Sequence, residues 1–328
     1  MSGDQVRNEL DPQTVEAVVT AATAAPSILN SQPWRFHATR DRIDVFIVPE
    51  RAPSLLDTAR REVHLSVGAA VLNLRLALGA AGLAGVAELV PSTLDPSFVA
   101  TVRIAGPATL SAAEQLLYEA IPHRRSSRLP FTGEMVAYEE FDRLQEAAAL
   151  EGAHLEVTTG LHRKVVTGAL HEADLTQRGD QALVDEVTLW TVDRSGREGV
   201  GIPPESLGPT PHDPKALVRD LAFGRPVGDR PAADFEEQSL MAVLLTSGDE
   251  RADWLRGGMA LESVLLTATA RGLSVGLLSQ ATEVADLRPL VRDPMSAWRH
   301  PQIVLRFGHG EQPAPSPRLP LSDVLEIG

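Results

Sequence analysis

Apolar positions recur along this chain with two periods, and the switches between them mark out its elements. Asp11 followed by Pro12 makes a helix start, a capping carboxylate and then proline at the first helical position. Val15, Val18 and Val19 supply one apolar face. The helix should end at Ala24-Ala25-Pro26. Residues 25–36, A-P-S-I-L-N-S-Q-P-W-R-F, read as a polar loop framed by two prolines. Alternating Ile43, Val45 and Ile47 after a turn at Thr39–Arg42 predict a hairpin beyond it. Arg61–Leu83 carries small and apolar residues at helical spacing, and Val86–Val90 and Phe98–Ile104 alternate as strands around a P-S-T-L-D-P turn.

The same unit returns later. Glu62–Leu83 lies over Ala252–Leu273 without a gap; Gly68-Ala69-Ala70 matches Gly258-Met259-Ala260, and Ala81-Gly82-Leu83 matches Arg271-Gly272-Leu273. The second copy is preceded by a strand at Leu240–Leu245. It continues through a strand at Val275–Leu278, a helix around Val284–Leu290 and a strand at Ile303–Phe307. Two long helices packed on one another are the expected heart of the molecule. Between the copies, Gly196–Pro231 holds seven prolines and six glycines, too many for regular structure. It reads either as plain disorder or, being longer than ordinary loops, as a lid over residues 196–235.

The chain has 328 residues, about two domain-sized units, and 43% hydrophobic residues, enough for a sizeable core. A formal charge of −14 argues against nucleic acid or an anionic membrane as partner, since both need a cationic footprint. No apolar run is expected to span a bilayer, and the start lacks the charged-then-apolar order of a secretory leader, so a cytoplasmic protein is expected. The sequence contains no cysteine, which removes disulfides, thiolate metal sites and thiol catalysis. Metal-binding, dinucleotide-fold, phosphate-loop and nucleophile-elbow motifs are missing from the sequence as well. His64, His123, His154, His162 and His171 are scattered without ligand spacing and read as structural or exposed.

Three segments carry candidate chemistry, each with a bland alternative. Pro26-Ser27-Ile28-Leu29-Asn30-Ser31-Gln32-Pro33-Trp34 offers a hydroxyl, amides and backbone in a rigid frame suited to a planar heterocycle, although Trp34 also reads as a core aromatic. Arg124-Arg125-Ser126-Ser127-Arg128 places guanidinium forks and hydroxyls where they could chelate a phosphate, or where they could simply make surface ion pairs at a helix end. Arg318, held between prolines in P-S-P-R-L-P, could close the same phosphate site or sit in a free tail.

Taken together these segments resemble the nitroreductase superfamily, with its R-x-S-x-R clamp, P-S-x-x-N-x-Q-P-W loop and C-terminal arginine before a Leu-Pro pair. The fused order of the segments, E-V-T-L-W-T at 186–191 and the Gly/Pro-rich insertion are similar to its Acg-like actinobacterial branch. The resemblance implies an α+β nitroreductase fold of two pseudo-symmetric halves, with mixed sheets flanked by helices and one FMN at the interface. The implied division is 1–110, with the P-S-x-x-N-x-Q-P-W loop and first core helix, and 111–328, with the clamp, lid, second core helix and tail. Arg124, Arg125, Ser126, Arg128 and Arg318 would hold the FMN phosphate, and Ser27 and Asn30 the ring or ribityl chain, with Gln32 in support. Ser279 and Gln280 fall where the superfamily presents backbone to the flavin N5 edge, though its P-x-E-G pattern is absent. Before the loop only Arg7 is available, and no second Q-P-W occurs, so one site per chain is expected.

The flavin would carry the chemistry, with no catalytic acid or base required from the protein and NAD(P)H as a transient reductant. The expected function is hydride transfer from NAD(P)H through FMN to a nitro compound, a quinone or another small acceptor. An alternative is an FMN-sequestering stress protein whose lid covers the ring. A third is an interaction protein with a decayed site, testable by alanine at Arg124 and Arg128. An internal pseudo-dimer would act as a monomer.

Overall fold

A computed structural model describes residues 9–92, 94–191, 198–296 and 298–328. Arg7 and the first two residues of the expected lid, 196 and 197, lie outside them. The first half begins with α1 (Pro12–Thr23), capped as the sequence predicts: Asp11 Oδ1 accepts from the Thr14 amide at 2.9 Å. Strands β1 (Trp34–Ala38) and β2 (Arg42–Ile47) form the hairpin, α2 (Arg61–Ala80) is the first core helix, and β3 (Leu83–Leu89) and β4 (Phe98–Pro107) follow. Next come α3 (Ala112–Ala120), the clamp segment, α4 (Tyr138–Leu150), β5 (His154–Val157), α5 (Gly160–Gly179) and α6 (Gln181–Thr191). Beyond the insertion, whose described residues form a 3-10 turn at Pro204–Ser206 and the two-residue strands β6 (Thr210–Pro211) and β7 (Ala232–Ala233), lie β8 (Leu240–Thr246), α7 (Arg251–Ala270) and β9 (Ser274–Leu278). The chain closes with α8 (Gln280–Glu283), β10 (His300–Gly308) and β11 (Leu325–Ile327).

The two halves share a topology. Four strands of the first sheet run in the order β1-β2-β4-β3, and the second sheet runs β5-β8-β10-β9, each with its core helix between the second and third strands of the unit. The core helices keep the register of the sequence repeat at both ends, 61–80 against 251–270, and pack principally on each other. The turn that joins β1 to β2 at residues 39–41 corresponds to the whole stretch from 158 to 239 between β5 and β8. The halves also exchange chain: β11, at the C-terminus, adds to the first sheet in parallel beside β1.

Burial explains the strand patterns. In β1 inward Trp34, Phe36 and Ala38 alternate with exposed or half-buried Arg35 and His37, as in a sheet covered on one face. The unbroken apolar run of β8 fits a strand covered on both. One face packs Ala242 and Leu244 against α4 and α7, and the other packs Met241, Val243 and Leu245 against α5.

Two expectations need correction. Val284–Leu290 is not an α-helix: after the four-residue α8 the chain makes a short 3-10 turn at Arg288–Val291, with Pro289 inside it. Helix α2 is long and apolar enough to cross a membrane by length and composition, contrary to the absence of such a run expected from sequence. Most of it is nonetheless buried inside the protein, because it packs between its own sheet and α7.

Candidate functional site

Two adjoining cavities, about 240 and 90 Å³, lie where the halves meet, and both are walled by Pro26, Ser27, Arg128, Ile202 and Leu277. The larger holds Arg124, Arg125, Ser126 and Arg318. The smaller is more apolar, with Leu56, Leu65, Leu221 and Leu261, but it also meets Glu62, Arg219, Ser279 and Glu283.

The 26–34 loop is forced into shape. Leu29, Asn30 and Gln32 all have positive φ, at 48°, 52° and 49°, a region that costs residues other than glycine about 1 kcal/mol or more each. Tertiary hydrogen bonds hold this conformation. Ser66 Oγ accepts from the Ile28 amide at 3.1 Å, and Ser27 Oγ accepts from the Gln32 amide at 3.0 Å. The Asn30 side chain donates to the carbonyls of Gly201 and Pro317, each at 3.0 Å, and its Oδ1 accepts from Arg318 at 2.9 Å. Asn30 therefore ties loop, insertion and tail together at the cavity wall.

Arginines dominate the larger cavity. Arg124 is buried and donates to the Ala24 carbonyl at 3.2 Å, while Arg318 donates to the carbonyls of Thr23 and Ala24 at 2.6 and 2.9 Å. Both thus cap the carboxyl end of α1 and its exit. Burial and the neighbouring Arg124 and Arg125 depress Arg318 to about 9, against the opposing pull of Glu262. Burial, Arg219 and Arg230 lower Arg128 to about 10; its Nη1 donates to the Ser206 carbonyl at 3.2 Å. Buried arginines crowded by other arginines leave a cavity in which an anion would be bound well.

The structure brings Ser27, Asn30, Arg124, Arg125, Ser126, Arg128, Ser279 and Arg318 to the two cavities. It does not bring Gln32 or Gln280 there. Gln32 Nε2 donates to the Gly199 carbonyl at 2.7 Å and its Oε1 accepts from the Leu319 amide at 2.9 Å, so its amide pins the insertion and the tail. Gln280 is turned inward by the start of α8 and lines neither cavity. Trp34 is a fully buried core residue.

Sequence reasoning missed four buried charged groups. Arg219, inside the insertion, is buried and paired with Glu283 at 2.7 Å while donating to Ser279 Oγ at 3.2 Å. Glu62 pairs with Arg61 at 3.0 Å; burial and the nearby Glu283 push its carboxyl well above the usual range. Glu262 is fully buried beside Arg124. Its place in the otherwise uncharged run G-G-M-A-L-E-S-V-L-L was a legible sign, because an isolated acid inside an apolar helix needs a partner. Among the described residues no group of three potential metal ligands comes together.

Two like-folded halves joined by a helix pair, with a guanidinium-lined cleft at their seam, define the nitroreductase fold. No protein-family model matches the chain, but whole-chain relatives do. A Mycobacterium tuberculosis protein, Rv3131, named provisionally as an NAD(P)H nitroreductase, is 31% identical over 325 residues, covering 96% of this chain and 92% of its own. Acg of the same organism, named in the same provisional way, is 30% identical over 318 residues and 95% of each chain. The solved FMN-dependent nitroreductase NfnB from Mycobacterium smegmatis, in complex with NADPH, aligns with 65% of this chain and 98% of its own at 19% identity, with a TM-score of 0.41. The chain belongs to the nitroreductase superfamily, in its Acg-like branch.

Proposed function

We propose that the paired cavities hold one FMN and that the protein is an NAD(P)H-dependent oxidoreductase acting on a small acceptor such as a nitro compound or quinone. One observation carries this reading: a loop from one half and an arginine clamp from the other enclose a cationic cavity that opens into a more apolar one. Arg124, Arg125, Ser126 and Arg318 would take the phosphate, with Arg128 at the junction of the cavities. Ser27 and Asn30 would face the ribityl chain or ring, and Ser279 the ring edge. The bound flavin would supply hydride transfer, and the protein placement, electrostatics and exclusion of water. The division into halves 1–110 and 111–328, a monomer acting as its own dimer, and a cytoplasmic setting without nucleic-acid or membrane partners belong to the same proposal.

The insertion favours a second reading, FMN sequestration. Val200, Ile202, Leu207, Leu221, Ala222 and Val227 are buried in the main core rather than laid loosely over the site. Turnover needs one face of the ring open to a second planar ligand, so an oxidoreductase must move this segment. Anaerobic stopped-flow absorbance with NADPH and NADH separates the two readings. Rapid bleaching reversed by a nitroaromatic or quinone supports turnover; FMN that bleaches only with dithionite supports sequestration.

A further inference from the structure

We propose that Glu262 is a positioning residue of the phosphate clamp, holding Arg124 before FMN binds and taking up a proton as the phosphate replaces it as counter-anion. The inference rests on the reading of this cavity as a phosphate site.

Glu262 is 0% exposed, and Arg124 Nε lies 3.5 Å from its Oε1. The Asn73 side chain of α2 approaches the Glu262 carboxylate as a hydrogen-bond donor but without full geometry, and Arg124 Nε makes no hydrogen bond. A buried charge held this loosely is costly unless something compensates it. The repeat shows what calls for the acid. In the register of the repeat the position on α2 equivalent to Glu262 is Leu72, a buried apolar residue in the same helical setting. The sequence has a single R-x-S-x-R segment, and this carboxylate stands beside its first arginine, Arg124. The acid therefore accompanies the clamp and is not a requirement of the helix pair.

The charged groups acting on Glu262 are Arg124 from the clamp and Arg318 from the tail, with uncharged Asn73 facing it from α2. Burial raises its carboxyl to about 7 against the pull of these two arginines. A phosphate dianion between the arginines would take up their charge and add its own negative field, raising the carboxyl further. Binding is then coupled to proton uptake. Affinity is highest below the carboxyl's value in the flavin-free protein and falls as pH rises above it, by up to about tenfold per pH unit. Riboflavin has no phosphate and should show no such dependence.

The test loads the protein with FMN or riboflavin and reads dissociation constants from flavin fluorescence on dilution, between about pH 7 and 8, where a phosphate monoester is mainly dianionic and Arg318, which titrates at about 9, stays charged. Wild type should lose FMN affinity across this range, and E262Q and E262L should give flat profiles, with riboflavin flat in all three. Displacement of FMN from wild type at pH 8, followed with a pH indicator in weak buffer, should release close to one proton per flavin. That measurement needs no variant to fold. A slope unchanged in E262Q, or no proton release from wild type, overturns the role of Glu262. Equal affinity for FMN and riboflavin, unaltered by R124A, would overturn the phosphate site itself.

Discussion

Gly68 and Gly258 meet at the crossing of the two core helices, each against the backbone of the other's helix. A Cβ on Gly68 would lie 2.9 Å from the Leu255 carbonyl carbon and overlap its oxygen; on Gly258 it would lie 2.7 Å from the Leu65 carbonyl carbon and overlap that oxygen. In the repeat Gly68 corresponds to Gly258 and Leu65 to Leu255, so the contact reads the same from either half.

Gly68→Ala and Gly258→Ala should therefore each destabilise the protein by about 1–3 kcal/mol or more, because the obstacle is backbone that no rotamer change can move. Chemical denaturation would measure it. Since both changes spread the same pair of helices, the double variant should lose less than the sum of the two; full additivity would show that they act independently.

The Arg219–Glu283 pair holds the insertion down. Arg219→Met leaves Glu283 buried without its cation, a loss of about 3–5 kcal/mol for broken buried pairs. The cost should fall on the packing of residues 198–233 against the core, appearing as protease nicking within that segment and, if it covers the flavin as proposed, as faster flavin release. Unchanged release rates would mean that the insertion is held by its apolar contacts alone.

Glu186, in the E-V-T-L-W-T segment, accepts from the amides of Ser54, Leu55 and Leu56 at 2.6, 3.0 and 2.8 Å and from Ser54 Oγ at 2.8 Å. Partial burial opposes its charge, but these donors win and hold its carboxyl below the usual range. A carboxyl lowered by folding contributes stability that is present above its unfolded value and lost as pH falls through the folded one. Glu186→Gln should cost about 1–3 kcal/mol near neutrality, and the difference from wild type should shrink in acid, as thermal melts at pH 7 and pH 3 would show.

Glu262 predicts the opposite slope. With its carboxyl near 7 in the folded chain, its contribution is fully present below its unfolded value of about 4.5 and lost as pH rises through 7. Flavin-free E262Q should gain on wild type between pH 5 and pH 8, by up to about 3 kcal/mol at the upper end. Equal pH dependence in urea denaturation would show that this carboxyl does not titrate in that range.

Local pattern alone determined a good deal. The cap at Asp11, the alternation of β2, the correspondence between α2 and α7 and the three polar segments are all written in residue spacing, because a capping side chain, a strand face and a helix face each need only neighbours in sequence, whereas Trp34–Phe36 read as loop and the structure makes them the start of β1. The repeat matched Gly68 with Gly258, but that the helices cross there only the structure shows. What spacing could not decide was which side chains face the cavities. Gln32 and Gln280 stand in motif positions, yet one is spent on Gly199 and Leu319 and the other is turned inward by α8. Arg219, Glu62 and Glu283 lie in unremarkable stretches of sequence, and even Glu262, an acid isolated in an apolar run, acquires its role from a partner remote along the chain, as Glu62 does from Glu283. Burial and charge pairing are properties of the assembled interior, set by which helices and loops converge, and only the tertiary structure brings them together.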